Sequence, residues 1–296
     1  MAKRRTWGVV FGLLTSLSAG SCSEHIEVGR DLAAAGAGIG GTGQNTSGSG
    51  GAPVHVCQPH ACQGKIYLCG NCVDDDDDQL IDSDDPECTG PCDNTENSYY
   101  GDIPGQNNAP CRQDCYFDQD TGSGNDQCHW SHQCDPKSIA PEYPPSGEAR
   151  CAYQQDADIP GSDSTCDGLK AAQASACLDI CLPITPNGCD CFGCCELPAA
   201  SGNFVWIGST AQNVGTCDAA HVTDPSACHP CTQVRSCLNT CDSCEVCVGQ
   251  TSPAASCGGD SSARCPASIA ACGQPGEPDC GPGFYCITGC CAAAPL

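Results

Sequence analysis

Aromatic side chains make up only 5% of this 296-residue sequence, and Lys and Arg together number 11. With so few aromatics beside 35 Gly and 22 Pro, a large conventional hydrophobic core is excluded. With so few cations against 36 acidic residues, the formal charge is −25, the opposite of what a nucleic-acid-binding surface needs. Long apolar runs are missing too. Trp7 to Leu17 is about a dozen residues, too short to cross a ~30 Å hydrocarbon core as a helix. Neither HExxH nor a GxSxG nucleophile elbow occurs, and the single Gly-Lys pair, Gly64-Lys65, has Pro59 where a phosphate loop needs glycine. Carboxylate pairs are too numerous for any one to mark an acid/base dyad.

What the chain does have is cysteine: 33 of them, the usage of a disulfide scaffold in an oxidising compartment. Residues 1–21 read as a secretory signal, with Lys3, Arg4 and Arg5 ahead of the apolar stretch and Ala19-Gly20-Ser21 before Cys22. Leu17-Ser18-Ala19-Gly20-Ser21-Cys22 resembles a bacterial lipobox, although Ala19 stands where that motif prefers leucine. Ordinary cleavage would cut the same bond and leave Cys22 unmodified. Removing Cys22 as a lipid acceptor leaves 32 cysteines, an even number that allows sixteen bridges. Loss of the leader takes the formal charge to −28, which argues against docking on anionic lipid and leaves acyl chains on Cys22 as the membrane contact. The expected location is an outer-membrane or cell-surface lipoprotein, with a secreted soluble protein as the alternative.

Along the chain, 22–53 reads as a flexible Gly/Ala/Ser tether. Its formal GxGxxG at Gly36, Gly38 and Gly41 lacks the strand and helix a dinucleotide site requires. Residues 54–95 form an acidic module bounded by six cysteines, 96–250 a cysteine-rich main domain, and 251–296 a C-terminal disulfide knot. The expected fold is small and disulfide-rich, mostly irregular, with a few short α-helices and minimal β-structure. A capping box at Ser164 to Asp167 starts one helix that Pro183 stops. Asp224-Pro225 starts a second that runs to Gly249, and Phe204 to Gly208 is the best strand candidate. Cys177 and Cys181, like Cys237 and Cys241, lie four apart on one helix face, so the two helices are expected to be bridged twice as a hairpin within 161–250. Pairing of each with a loop cysteine is the alternative. The neighbours Cys194-Cys195 and Cys290-Cys291 point apart, and each pair should join two different segments.

The sharpest candidate site is the run from Asp74 to Asp85. Calcium wants six to eight oxygens, and a 12-residue loop supplies them from positions 1, 3, 5, 7, 9 and 12. Those positions hold Asp74, Asp76, Asp78, the Leu80 carbonyl, Asp82 and Asp85, with Ile81 as the apolar anchor. The segment resembles EF-hand and thrombospondin type 3 calcium loops. It departs from them at Gln79, where the sharp turn needs glycine, and at Asp85, which is shorter than the usual glutamate. A solvated acidic turn is the bland reading of the same residues.

Asp118, Asp120 and Asp126 repeat part of that spacing as a weaker second cation candidate. His129 and His132 form an HxxH pair that could supply two ligands to a transition metal. Nearby cysteines at ligand spacing are expected to be consumed by disulfides. No organic cofactor is implied.

The stretch from Cys69 to Cys88 is similar to an acidic repeat of large secreted myxobacterial proteins. The segments from Cys115 to Asp126, Asn187 to Cys195 and Cys286 to Cys291 resemble a family of cysteine-rich lipoproteins from the same bacteria. That resemblance implies export and surface display and brings no activity with it. The expected function is a membrane-tethered, non-enzymatic surface module, stabilised by disulfides and calcium, that meets an extracellular partner. A secreted hydrolase and a metal-sequestering lipoprotein are the alternatives.

Overall fold

Sixteen disulfide bridges do the work that extended secondary structure does in most chains of this length, and they use every cysteine except Cys22. The computed structural model describes residues 57–103, 111–118, 126–138, 148–159, 161–257, 264–274 and 276–295. The leader, Cys22, the 22–53 tether and Asp120 lie outside the described residues. Disulfides at this density place the chain among stable proteins of extracellular type. No helix among the described residues is long and apolar enough to cross a membrane.

The regular elements are short. Five two-stranded antiparallel ladders occur among the described residues: β1 (Ala61–Cys62) with β2 (Lys65–Ile66), and β3 (Arg112–Gln113) with β4 (Trp130–Ser131). After two helices come β5 (Cys194–Glu196) with β6 (Phe204–Trp206), β7 (Thr210–Ala211) with β8 (Val214–Gly215), and β9 (Phe284–Ile287) with β10 (Cys290–Ala293). The strand expected at 204–208 is β6 (Phe204–Trp206), and outside the strands and two α-helices the described residues lie in turns, bends and 3-10 segments.

One helix was expected between 164 and 183, and two are found: α1 (Cys166–Ala171) and α2 (Ser175–Ile180). The Thr165 hydroxyl caps α1 by accepting from the Gly168 amide at 3.1 Å, one residue later than the capping box suggested. At Ala172 the backbone turns extended and breaks the run. Cys177 and Cys181 lie on the buried face of α2, while Ile180 on the other side is exposed.

The expected second helix and the bridged hairpin do not form. Asp224 starts a single turn, with the Cys228 amide on the Asp224 carbonyl at 2.8 Å, and the chain then runs largely extended apart from a 3-10 turn at Arg235–Cys237. Pro230 bridges to Val205 and Leu238 to Asp190, so this segment lies along the 190–206 region. Cys177 pairs with Cys128 and Cys181 with Cys115, while Cys237 pairs with Cys191 and Cys241 with Cys247. The sulfurs of Cys177 and Cys237 still pack 3.9 Å apart, neighbours but not partners. The i,i+4 pair on α2 does bridge twice across one face, but to two loops and not to a helix. The adjacent cysteines diverge as expected: Cys194 goes to Cys231 and Cys195 to Cys189, Cys290 to Cys265 and Cys291 to Cys280.

The first three bridges stay within 57–92 and the last three within 265–291. Hydrogen bonds and packing cross those limits, and His55–Leu296 is one compact unit. The Tyr285 hydroxyl donates to the Cys69 carbonyl at 2.7 Å, and the Tyr99 amide to the Cys217 carbonyl at 2.8 Å. Half-cystines fill the core alongside Tyr99, Tyr116, Phe192, Val205 and Ile207. With so little apolar volume to bury, loop closure carries the stability, at roughly 2–4 kcal/mol per bridge. Backbone space is correspondingly tight at Gly193, which has φ +79 and where a Cβ would sit 2.9 Å from the Tyr116 ring.

Candidate cation-binding carboxylates

The acidic loop is clamped at both ends by a residue the spacing did not single out. Glu96, buried, accepts from the Asp75 amide at 2.6 Å and from the Asp82 amide at 3.0 Å. Between those points the aspartates fold inward on their own backbone. Asp74 accepts from the amides of Asp78 and Gln79, Asp76 from Asp78, and Asp78 from Leu80. Gln79 has φ +79, so the left-handed turn that calcium loops assign to glycine is made here by glutamine.

Asp85 comes back beneath this turn. It is 2% exposed; one oxygen accepts from the Glu87 amide at 2.7 Å and the other is buried without any donor. Burial pushes its carboxyl up to about 7, with the charges of Glu87, Asp78 and Asp76 adding to the rise. Glu87, raised first by burial, feels Asp218, Asp76 and Asp78 and accepts from the Ala219 amide at 2.7 Å. Asp76, Asp78, Asp85 and Glu87 are thus charged neighbours of one another, and Asp74 is a neighbour of Asp76.

Position 9 differs from the expected ligand set. Asp82 turns its carboxylate onto the Cys72 amide, at 3.0 and 3.2 Å, and burial raises it to about 6. Its charged neighbours are Asp75 and Asp84, whereas Asp76 and Asp78 are neighbours of Glu87. Glu87 follows the 12-residue window and Glu96 lies further on, so loop spacing could not reveal either.

In the second candidate, Asp118 and Asp126 are both buried, while Asp120 is outside the described residues. Asp114, which has no place in the loop spacing, joins them. It is 2% exposed and pushed up to about 8 by burial, then by Asp126 and Asp118. The β3–β4 pairing explains this meeting, since it sets residue 114 beside the chain that leads from 126 into β4.

The two histidines of HxxH have separate surroundings. His129 is lowered by burial and by Arg112, against a smaller opposing effect from Asp126; its amide donates to Gln173 at 3.2 Å. His132 is driven down to about 3 by burial and by His229, and it meets Trp206 edge-on with ring centroids 4.6 Å apart. Such a histidine is neutral and lodged in the core. The tight sulfur-containing clusters, such as Cys177 with Cys191 and Cys237, consist of bridged cysteines and offer no thiolate. A surface depression runs along 155–167, lined by Asp156, Asp158, Asp163 and Asp167 with neither histidine nor free thiol.

Not every buried carboxylate is incomplete. Asp93 accepts from the amides of Thr89 and Thr95 and from the Thr89 hydroxyl. Asp190 accepts from Phe192, Cys194 and Val234 at 2.7–2.9 Å. Both are fully buried with both oxygens occupied.

No protein-family model, curated protein or solved structure matches the chain.

Proposed function

We propose that the mature chain is a lipid-anchored surface module of a bacterial envelope, held by acyl chains on Cys22 and carrying a calcium-binding loop on a disulfide-locked body. Its role is binding or structural rather than catalytic. One observation carries the anchoring: sixteen bridges occupy the other 32 cysteines, so the residue at the end of the signal-like leader is the one left over. In an oxidising compartment an unmodified extra thiol would exchange with its neighbours, and acylation removes it.

The donor set of the loop fits a hard cation. Asp74, Asp76, Asp78, Asp85 and Glu87 supply carboxylate oxygen only, which suits calcium and not a soft metal. One Asp85 oxygen is buried without a donor, and its charged neighbours are Glu87, Asp78 and Asp76. Calcium would join Asp85 to the turn above it and stiffen the acidic module, which Glu96 and Glu87 tie to the rest of the body.

Intact mass spectrometry of native material tests the anchoring. A diacyl or triacyl addition at Cys22 with no free thiol is expected. An unmodified Cys22, or several free thiols elsewhere, would overturn the reading.

A further inference from the structure

We propose that Asp114, Asp118 and Asp126 form a second, buried site for a hard divalent cation, calcium first among them, separate from the 74–87 loop. Asp114 gives one oxygen to the Cys115 amide at 3.1 Å and Asp126 gives one to the Cys128 amide at 2.8 Å. The other oxygen of each is buried with no donor of any kind. Asp114 is 2% exposed and Asp126 0%, the two carboxyls lie within hydrogen-bonding reach of each other, and Asp118 is a charged neighbour of Asp114. Among the described residues no ion pair reaches Asp114 or Asp126.

Two buried carboxylates turned toward each other need a shared proton or a cation. A shared proton answers one of the two negative charges and leaves the other buried. A proton-sharing catalytic dyad would also need a substrate to reach it, and both aspartates are sealed from solvent. A divalent ion satisfies the donorless oxygens together, and the backbone amides already orient the other oxygen of each ligand.

The scaffold holds these ligands in place before any ion arrives. Asp114 precedes Cys115, which is bonded to Cys181, and Asp126 lies two residues before Cys128, which is bonded to Cys177. Both bridges end on one face of α2, so a single short helix fixes the separation of the two ligand-bearing segments. An Asp126 oxygen lies within 4.8 Å of the sulfurs of the Cys115–Cys181 bridge. The same covalent frame keeps the site assembled without the cation, which makes binding reversible and not a condition of folding.

The test is calcium stoichiometry by equilibrium dialysis on the full mature chain, with terbium luminescence sensitised by the nearby Tyr116 and Trp130 as a second readout. Three proteins are compared: wild type, Asp76→Asn/Asp78→Asn, and Asp114→Asn/Asp126→Asn. Wild type is expected to hold two ions and each double variant one, with sensitised terbium emission reduced but not lost in each, since Tyr99 lies near Asp85 and Glu87. Loss of all calcium in the Asp76/Asp78 variant would overturn the proposal, as would an unchanged count in the Asp114/Asp126 variant. The Asp76/Asp78 variant decides the matter even if the other fails to fold. Failure of the acidic loop alone would read differently, as no loss of calcium when Asp76 and Asp78 are changed.

Discussion

Around Asp190 and around Asp85 this chain buries a carboxylate in two different ways. Asp190 sits between the 189–195 turn and the 234–238 segment, and three backbone amides close around it. It is a structural hub that organises two loops with no outside help. Asp85 is also buried, yet one of its oxygens has no donor and its charged neighbours are other carboxylates. The first arrangement is complete as a fold. The second leaves a buried oxygen unanswered, as Asp114 and Asp126 do elsewhere, and on the proposed reading a cation answers it. Burial alone therefore does not distinguish scaffold from site in an acidic protein; the count of donors does.

The largest expected effect separates the two directly. Asp190→Ala leaves three buried amides without an acceptor, each costing roughly 1–3 kcal/mol. Its denaturation midpoint should fall steeply, and calcium should not restore it. Asp85→Asn should act with the opposite sign in chelator. It removes a buried, unpaired charge while keeping the acceptor for the Glu87 amide, so the calcium-free protein gains about 1–3 kcal/mol by the same reasoning. A loss at Asp85 as large as at Asp190 would break the distinction.

The pH dependence is next in size. In the folded, cation-free protein Asp85 is raised from 3.8 to about 7, so the folded state holds this proton more tightly than the unfolded chain. That contribution is fully present below pH 3.8 and is lost as pH rises through about 7. Asp82 behaves alike between 3.8 and about 6. Melting in chelator should occur at higher temperature at pH 5 than at pH 8. Saturating calcium should shrink or reverse the difference, because it replaces the proton at Asp85. The smallest effect belongs to Gln79→Gly, which relieves a left-handed glutamine by about 1 kcal/mol and tightens calcium binding, readable by titration calorimetry.

Much of this molecule is legible from cysteine and charge. The even set of 32, the divergence of Cys194 from Cys195 and of Cys290 from Cys291, and the strand at 204–206 all follow from local chemistry. Partner choice does not. Cys177 and Cys237 have the spacing of a bridged hairpin and touch, but Cys128 and Cys191 take them because the 224–249 segment is drawn out along 190–206. Helix signals there yield one turn at Asp224, since Asp190 and two bridges pull Val234, Cys231 and Cys237 into other contacts. Loop spacing put Asp74, Asp76, Asp78 and Asp85 near one another, while the Asp82 carboxylate is taken by the Cys72 amide. Glu87, Glu96 and Asp114 are brought in by tertiary contact, which no period in the sequence encodes.

The most direct test of the central claim is the melting temperature of the mature chain at pH 7.5, with calcium and with chelator, in wild type and in Asp85→Asn. Calcium at a hundredfold excess over its dissociation constant should stabilise wild type by about 2.7 kcal/mol per site. Asp85→Asn should lose the share of that shift that belongs to the acidic loop. No calcium shift in wild type, or the same shift in Asp85→Asn, would contradict the account.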